Sequence, residues 1–92
     1  MSKITVDSNP SDALLKEMDV ANWPTWEKEV SVFPWEFTTT ETAFILEGEC
    51  VMTPNNGGES TTFTVGDLVV FPKGYVGTWE VKKALKKHYQ HS

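Results

Sequence analysis

Arginine is absent from this 92-residue chain, cysteine occurs once and histidine twice. The missing guanidinium removes the side chain best suited to a bidentate grip on phosphates, which argues against a nucleic-acid partner. The formal net charge of −5 points the same way. Cys50, being alone, forms no intrachain disulfide and no Cys-based metal site. Its apolar surroundings make it a small buried hydrophobe rather than a reactive thiol. No apolar run is long enough to span a membrane, and no apolar signal region follows Met1-Ser2-Lys3. The expected setting is therefore soluble, reducing and cytoplasmic, with no membrane contact. Glycine is also missing from the first half of the chain, all six glycines lying at or after Gly48.

What is present is the composition of one ordinary folded domain, with hydrophobic residues at 39% and enough length for a modest core. Asn9-Pro10-Ser11-Asp12 reads as a helix start, with Asn9 capping and Pro10 at the first helical position. Leu14, Leu15 and Met18 share one face of the short helix that follows, and Asn22-Trp23-Pro24 ends it. From Glu29 the period becomes two, with Ser31, Phe33, Trp35 and Phe37 as the inward set. Glu41 to Leu46 and Glu49 to Thr53 read as strands on either side of a bend at Gly48. Pro54-Asn55-Asn56-Gly57-Gly58 signals a hairpin. Thr61 to Val65 and Leu68 to Phe71 are further strands. Two more, Tyr75 to Val81 and Ala84 to Gln90, complete the set. Close strands with turns between them imply a sandwich or barrel, and pattern alone leaves jelly roll, lipocalin-like barrel and immunoglobulin-like sandwich open.

The spacing Glu41…Gly48 and the run Gly66-Asp-Leu-Val-Val-Phe-Pro72-Lys-Gly74 resemble the two cupin motifs. Trp23-Pro24-Thr-Trp26, Leu46-Glu-Gly48 and Thr78-Trp79-Glu-Val81 extend the likeness to the small cupins similar to the cupin domain of ureidoglycine aminohydrolase. The resemblance implies an all-β, single-domain jelly-roll β-barrel with a short N-terminal helix. Residues 1–22 would form the N-terminal extension and 23–92 the barrel. It also implies a homodimer.

Cupin metals are commonly held by two His and a Glu from the first motif and a His from the second, donors that suit Mn, Fe, Ni or Zn. Here the resemblance puts Trp35 and Phe37 at the first-motif histidines and Gly77, or Thr78 if the register slips by one, at the second-motif one, leaving only Glu41. No metal and no other cofactor is expected. Of the two histidines, His91 is expected at the surface. Parity on the last strand groups Leu85, Lys87 and Tyr89 on the more apolar face and Ala84, Lys86 and His88 on the other. This turns Lys87 inward and His88 outward, against a Glu41–His88 metal pair. Two arrangements are then open for Glu41 and Lys87: an interior ion pair, or both reaching solvent at the barrel mouth. Lys82, Lys83 and Lys86 read as a solvated strand face.

Trp35, Phe37, Phe44, Phe71, Tyr75 and Trp79 are candidates to line or close the barrel, with Trp23 and Trp26 near its edge. Phe44 and Phe71 suit a filled core. Trp35, Phe37, Tyr75 and Trp79, with Glu41 as polar anchor, suit the binding of a small molecule at the mouth. Three functions follow: a metal-free small-molecule-binding cupin, an enzyme using Glu41 as acid or base assisted by Lys87 or Tyr75, and a dimeric interaction module.

Overall fold

The computed structural model describes residues 3–92. Seven antiparallel strands are joined in one continuous sheet: β1 (Thr5–Asp7), β2 (Thr25–Lys28), β3 (Ser31–Glu36), β4 (Glu41–Pro54), β5 (Thr61–Thr64), β6 (Leu68–Phe71) and β7 (Val76–His91). Two of them are long, and each serves two partners. The first part of β4 pairs with β6 and its second part with β5. The first part of β7 pairs with β3 and its second part with β2. Since β4 and β7 also pair with each other from end to end, they run through both halves of the barrel. One half is β1-β6-β4-β7-β2 and the other β5-β4-β7-β3. This is the all-β jelly roll that the motifs imply.

The bend that lets β4 cross between halves is at Gly48, with φ of 103°. A Cβ there would meet the Ala84 carbonyl oxygen at 2.5 Å, so only glycine brings the two strands this close. The β4–β7 register slips between Ile45 and Cys50. The bulge also reverses the parity of β4: Glu41, Ala43 and Ile45 are buried before it, Cys50 and Met52 after it. β7 keeps its parity, with Trp79, Val81, Leu85 and Lys87 all buried. The two strands expected at its place are one, the exposed Lys82–Ala84 stretch continuing the ladder instead of turning.

The core is strongly aromatic. Phe37 stacks on Phe71 with centroids 4.7 Å apart, and Trp79 meets Phe33, Phe63 and Phe71 at 5.4–6.2 Å. Phe71 fills the core as expected. Phe44 does not: it alternates with buried Ala43 and Ile45 and is half-buried on the opposite face of β4. Cys50 is fully buried.

The N-terminal helix, α1 (Asp12–Glu17), starts two residues later than expected. Ser11 caps it, its hydroxyl accepting from the Leu14 N–H at 3.1 Å. Asn9 is otherwise engaged, its N–H donating to the Asp7 carboxylate in the turn that leaves β1. Two pieces of sheet lie in this N-terminal third beyond what the pattern suggests. β1 pairs with β6, and β2 follows Pro24 directly and pairs with the end of β7. Among the described residues no helix is long and apolar enough to cross a membrane.

Candidate functional site

Glu41 opens β4, and Lys87 stands on the inward face of β7. Their residues are 5% and 4% exposed, and the Lys87 ammonium donates directly to Glu41 Oε2. Of the two arrangements open to them, the interior ion pair is the one formed. The ammonium also sits among aromatic rings: its Nζ lies 4.7 Å from the Trp79 ring centroid, 5.0 Å from Trp26, 5.5 Å from Phe71 and 5.9 Å from Tyr89. Ring faces carry negative quadrupole charge, so each contact favours the cation, by about 1–2 kcal/mol when desolvated. An unpaired ammonium at this depth would cost several kcal/mol, and the carboxylate and rings offset that cost. Burial pushes the Lys87 amine below the ordinary lysine range, with the Glu41 carboxylate pulling the other way.

The sheet brings these groups together from four strands. Trp26 on β2 lies directly across from Lys87, and Trp35 on β3 directly across from Gly77. Trp35, on the same strand face as Phe33, meets Trp26 and Trp79 at 6.5 Å. A cleft of about 180 Å³ opens beside the ion pair. Trp26, Trp35, Trp79 and Tyr89 provide its apolar surface, and Glu41, Lys87 and His91 its polar groups.

Four of the residues singled out from the sequence thus meet at one cleft: Trp35, Glu41, Trp79 and Lys87. Two do not. Phe37 is 3% exposed and is spent on the core, stacked on Phe71. Tyr75 follows the tight turn after β6, and backbone hydrogen bonds tie that turn to Phe37. Its ring meets Phe37 and borders a different, wider hollow of about 900 Å³ beside the β4–β5 hairpin, together with Lys3, Lys73 and Glu59. Its hydroxyl is buried without a hydrogen-bond partner among the described residues, and burial raises its phenol above the ordinary range.

Trp26, Tyr89 and His91 complete the cleft and were not assigned to it from the pattern. Tyr89 shares the parity of Lys87, which was a usable signal. His91 is exposed, as expected, yet it lies opposite Glu41 in the β4–β7 register and hydrogen-bonds Thr39 Oγ1 through Nδ1 at 2.7 Å. His88 points to the other face, where its Nδ1 lies 2.9 Å from the Trp23 carbonyl oxygen.

The cupin fold raises the question of a metal. At the positions where the motifs would place histidines stand Trp35, Phe37 and Gly77, and the remaining carboxylate is held by an ammonium. Among the described residues no three His, Cys, Asp or Glu side chains gather at one place. This donor set does not fit a transition-metal centre, which takes three or more N, O or S ligands.

Residues 15–89 match the EutQ-like cupin domain family. The structure is similar to a DUF861 family protein from Thermotoga maritima, at 41% identity and a TM-score of 0.93, over 98% of this chain and all of that one. It is also similar, in fold alone, to a putative ethanolamine utilization protein Q from Salmonella typhimurium (24% identity, TM-score 0.64). The EutQ protein of Clostridium difficile gives 19% and 0.65. Both likenesses cover 73% of this chain, which spans about half of those longer proteins (53% and 52%). No curated protein gives a significant match.

Proposed function

The chain belongs to the EutQ-like cupin family, and from that premise we propose that it binds a small molecule, without a metal, in the cleft beside Glu41 and Lys87. The observation that carries this reading is the cleft itself: a directly bonded carboxylate and ammonium bordering a space walled by Trp26, Trp35, Trp79 and Tyr89. Apolar walls with a few convergent polar groups are the usual make-up of a small-ligand site. Its volume of about 180 Å³ suits a ligand near benzene in size. The finer likeness to ureidoglycine aminohydrolase-type cupins supports the same location but not the same reaction. A hydrolysis of that type draws on a metal, and the donors for one are replaced here.

Three of the four tryptophans border the cleft, so intrinsic tryptophan emission is the direct readout. Titration with a panel of small aromatic and aliphatic acids, amines and carbonyl compounds should give saturable shifts for one class. The same titration of Trp35→Ala should weaken them. A panel without any saturable response would overturn the binding reading. Stoichiometric Mn, Fe, Ni or Zn in untagged protein would overturn its metal-free half.

A further inference from the structure

Of the eight lysines, Lys87 alone is buried. A lysine that served only to fill the barrel would be poorly chosen, since leucine or methionine fills such space without an ionic group to neutralise. Three features of its setting are chemical rather than structural. Lys87 is among the residues that line a cleft of about 180 Å³, so a ligand there is held beside its side chain. It is bonded to a carboxylate that can take and return its proton. It is enclosed by rings that favour a cation at that point.

We propose that Lys87 is a nucleophilic amine that forms an imine with a small aldehyde or ketone bound in the cleft, and that Glu41 carries the protons. The inference rests on the binding reading and adds a covalent step to it. Glu41 first accepts a proton from the Lys87 ammonium, leaving a neutral pair. The nitrogen lone pair then forms a bond to the carbonyl carbon, the C=O π electrons move to oxygen, and Glu41 protonates that oxygen. Glu41 takes a proton from the nitrogen of the resulting adduct and returns it to the hydroxyl, which leaves as water while the C=N bond forms. The net change is one ammonium and one carbonyl compound to one iminium and one water. Charge is conserved, so the iminium inherits both the Glu41 carboxylate and the aromatic rings. Desolvation makes the first proton transfer easier, because it lowers the amine below the ordinary lysine range.

The test is reductive trapping with benzaldehyde and, for a smaller fit, propanal, each with sodium cyanoborohydride near neutral pH. Peptide mapping by mass spectrometry then locates the alkylated lysines. Setting aside the α-amino group, Lys87 should be modified about tenfold faster than the mean of the seven exposed or half-exposed lysines. Glu41→Gln should slow trapping at Lys87 and leave the other lysines unchanged. The mapping is done on the unaltered protein, so the outcome does not depend on any variant folding. Benzyl alcohol, which has no carbonyl, is titrated in parallel by tryptophan emission. Modification spread over surface lysines while Lys87 stays free would overturn the imine. If benzaldehyde and benzyl alcohol nonetheless shift the emission, the binding reading survives that failure. If neither shifts it and Lys87 stays free of both aldehydes, both readings fall.

Discussion

Lys87 and Glu41 meet inside the barrel, their side chains 5% and 7% exposed, with the ammonium bonded to Oε2 and Trp79 and Trp26 within about 5 Å of it. A pair this deep is bound tightly by geometry, yet its net worth is small, since both ions have lost their water. The two statements are separable by experiment. Glu41→Leu leaves a buried ammonium, and Lys87→Met leaves a buried carboxylate. Each should cost about 3 kcal/mol in urea unfolding. The double variant, with two apolar residues facing each other, should return to within about 1 kcal/mol of the parent. Additive losses in the double variant would mean that the two residues act separately.

Trp79 holds this arrangement in place. It is 1% exposed and its ring contacts Trp26, Phe33, Trp35, Phe37, Phe63 and Phe71, besides lying beneath Lys87. Trp79→Ala should destabilise the protein by about 4 kcal/mol through the cavity it leaves. Trp79→Phe should cost only about 1–2 kcal/mol. The indole N–H is buried, and its one partner is the weakly accepting Cys50 sulfur, so its removal forfeits little. Thermal melts of the two variants should therefore separate widely. Equal losses would place the role of Trp79 in its N–H rather than its volume.

The interior position of Lys87 was legible because Leu85, Lys87 and Tyr89 form the more apolar set in the alternation of Ala84 to Tyr89. That β7 is one strand was not, because Lys82, Lys83 and Ala84 look like a polar break and are in fact the exposed crossing between the two halves of the barrel. β4 was harder. Its bulge turns the buried parity from odd to even between Ile45 and Cys50. Where a strand absorbs an extra residue depends on its neighbours, here the Ala84 carbonyl beside Gly48. Phe44 accordingly looked like a core residue and lies on the other face. Trp26 escaped the cleft for a related reason. The strand carrying it is four residues long and follows a proline, so only its pairing with Lys86 and Lys87 reveals it. The motifs named the fold, and parity turned Lys87 inward while leaving the ion pair as one of two arrangements. The aromatic enclosure needed coordinates, since Trp26, Phe71, Trp79 and Lys87 are far apart along the chain.

Cys50 gives a prediction in the alkaline range. Burial pushes its thiol from 9.0 to about 11, outweighing the pull of Trp79 and Lys87. The folded protein thus holds this proton where the unfolded chain has released it. Protons bound in the folded state exceed those in the unfolded state, so the contribution of Cys50 is constant below pH 9.0 and falls from there to about 11. Lys87 acts with the opposite sign: its lowered folded value means stability is gained as pH rises toward 10.5. Cys50→Ala should therefore flatten or reverse the alkaline decline in urea midpoint. An unchanged slope would show that the thiol does not titrate as buried. In the native protein the thiol should also resist aromatic disulfide reagents until the chain unfolds.

Gly77, where the cupin motifs would place a histidine, has no room for a side chain. A Cβ at this position would meet the Thr53 carbonyl oxygen at 2.3 Å and the Thr53 carbonyl carbon at 3.0 Å. Both are backbone atoms of β4, fixed by the pairing of Thr53 with Thr78 and of Pro54 with Gly77. Relieving the clash requires opening that ladder, so Gly77→Ala should cost about 3 kcal/mol or more. Histidine, with the same Cβ, meets the same obstacle. Placing histidine at all three motif positions by Trp35→His, Phe37→His and Gly77→His should then give an unstable protein that binds no stoichiometric zinc or manganese in titration calorimetry. A stable triple variant with one tightly bound metal would show that β4 can yield here. On the geometry as it stands the β4 backbone leaves no room for a side chain at Gly77, and Lys87 supplies the positive charge beside Glu41.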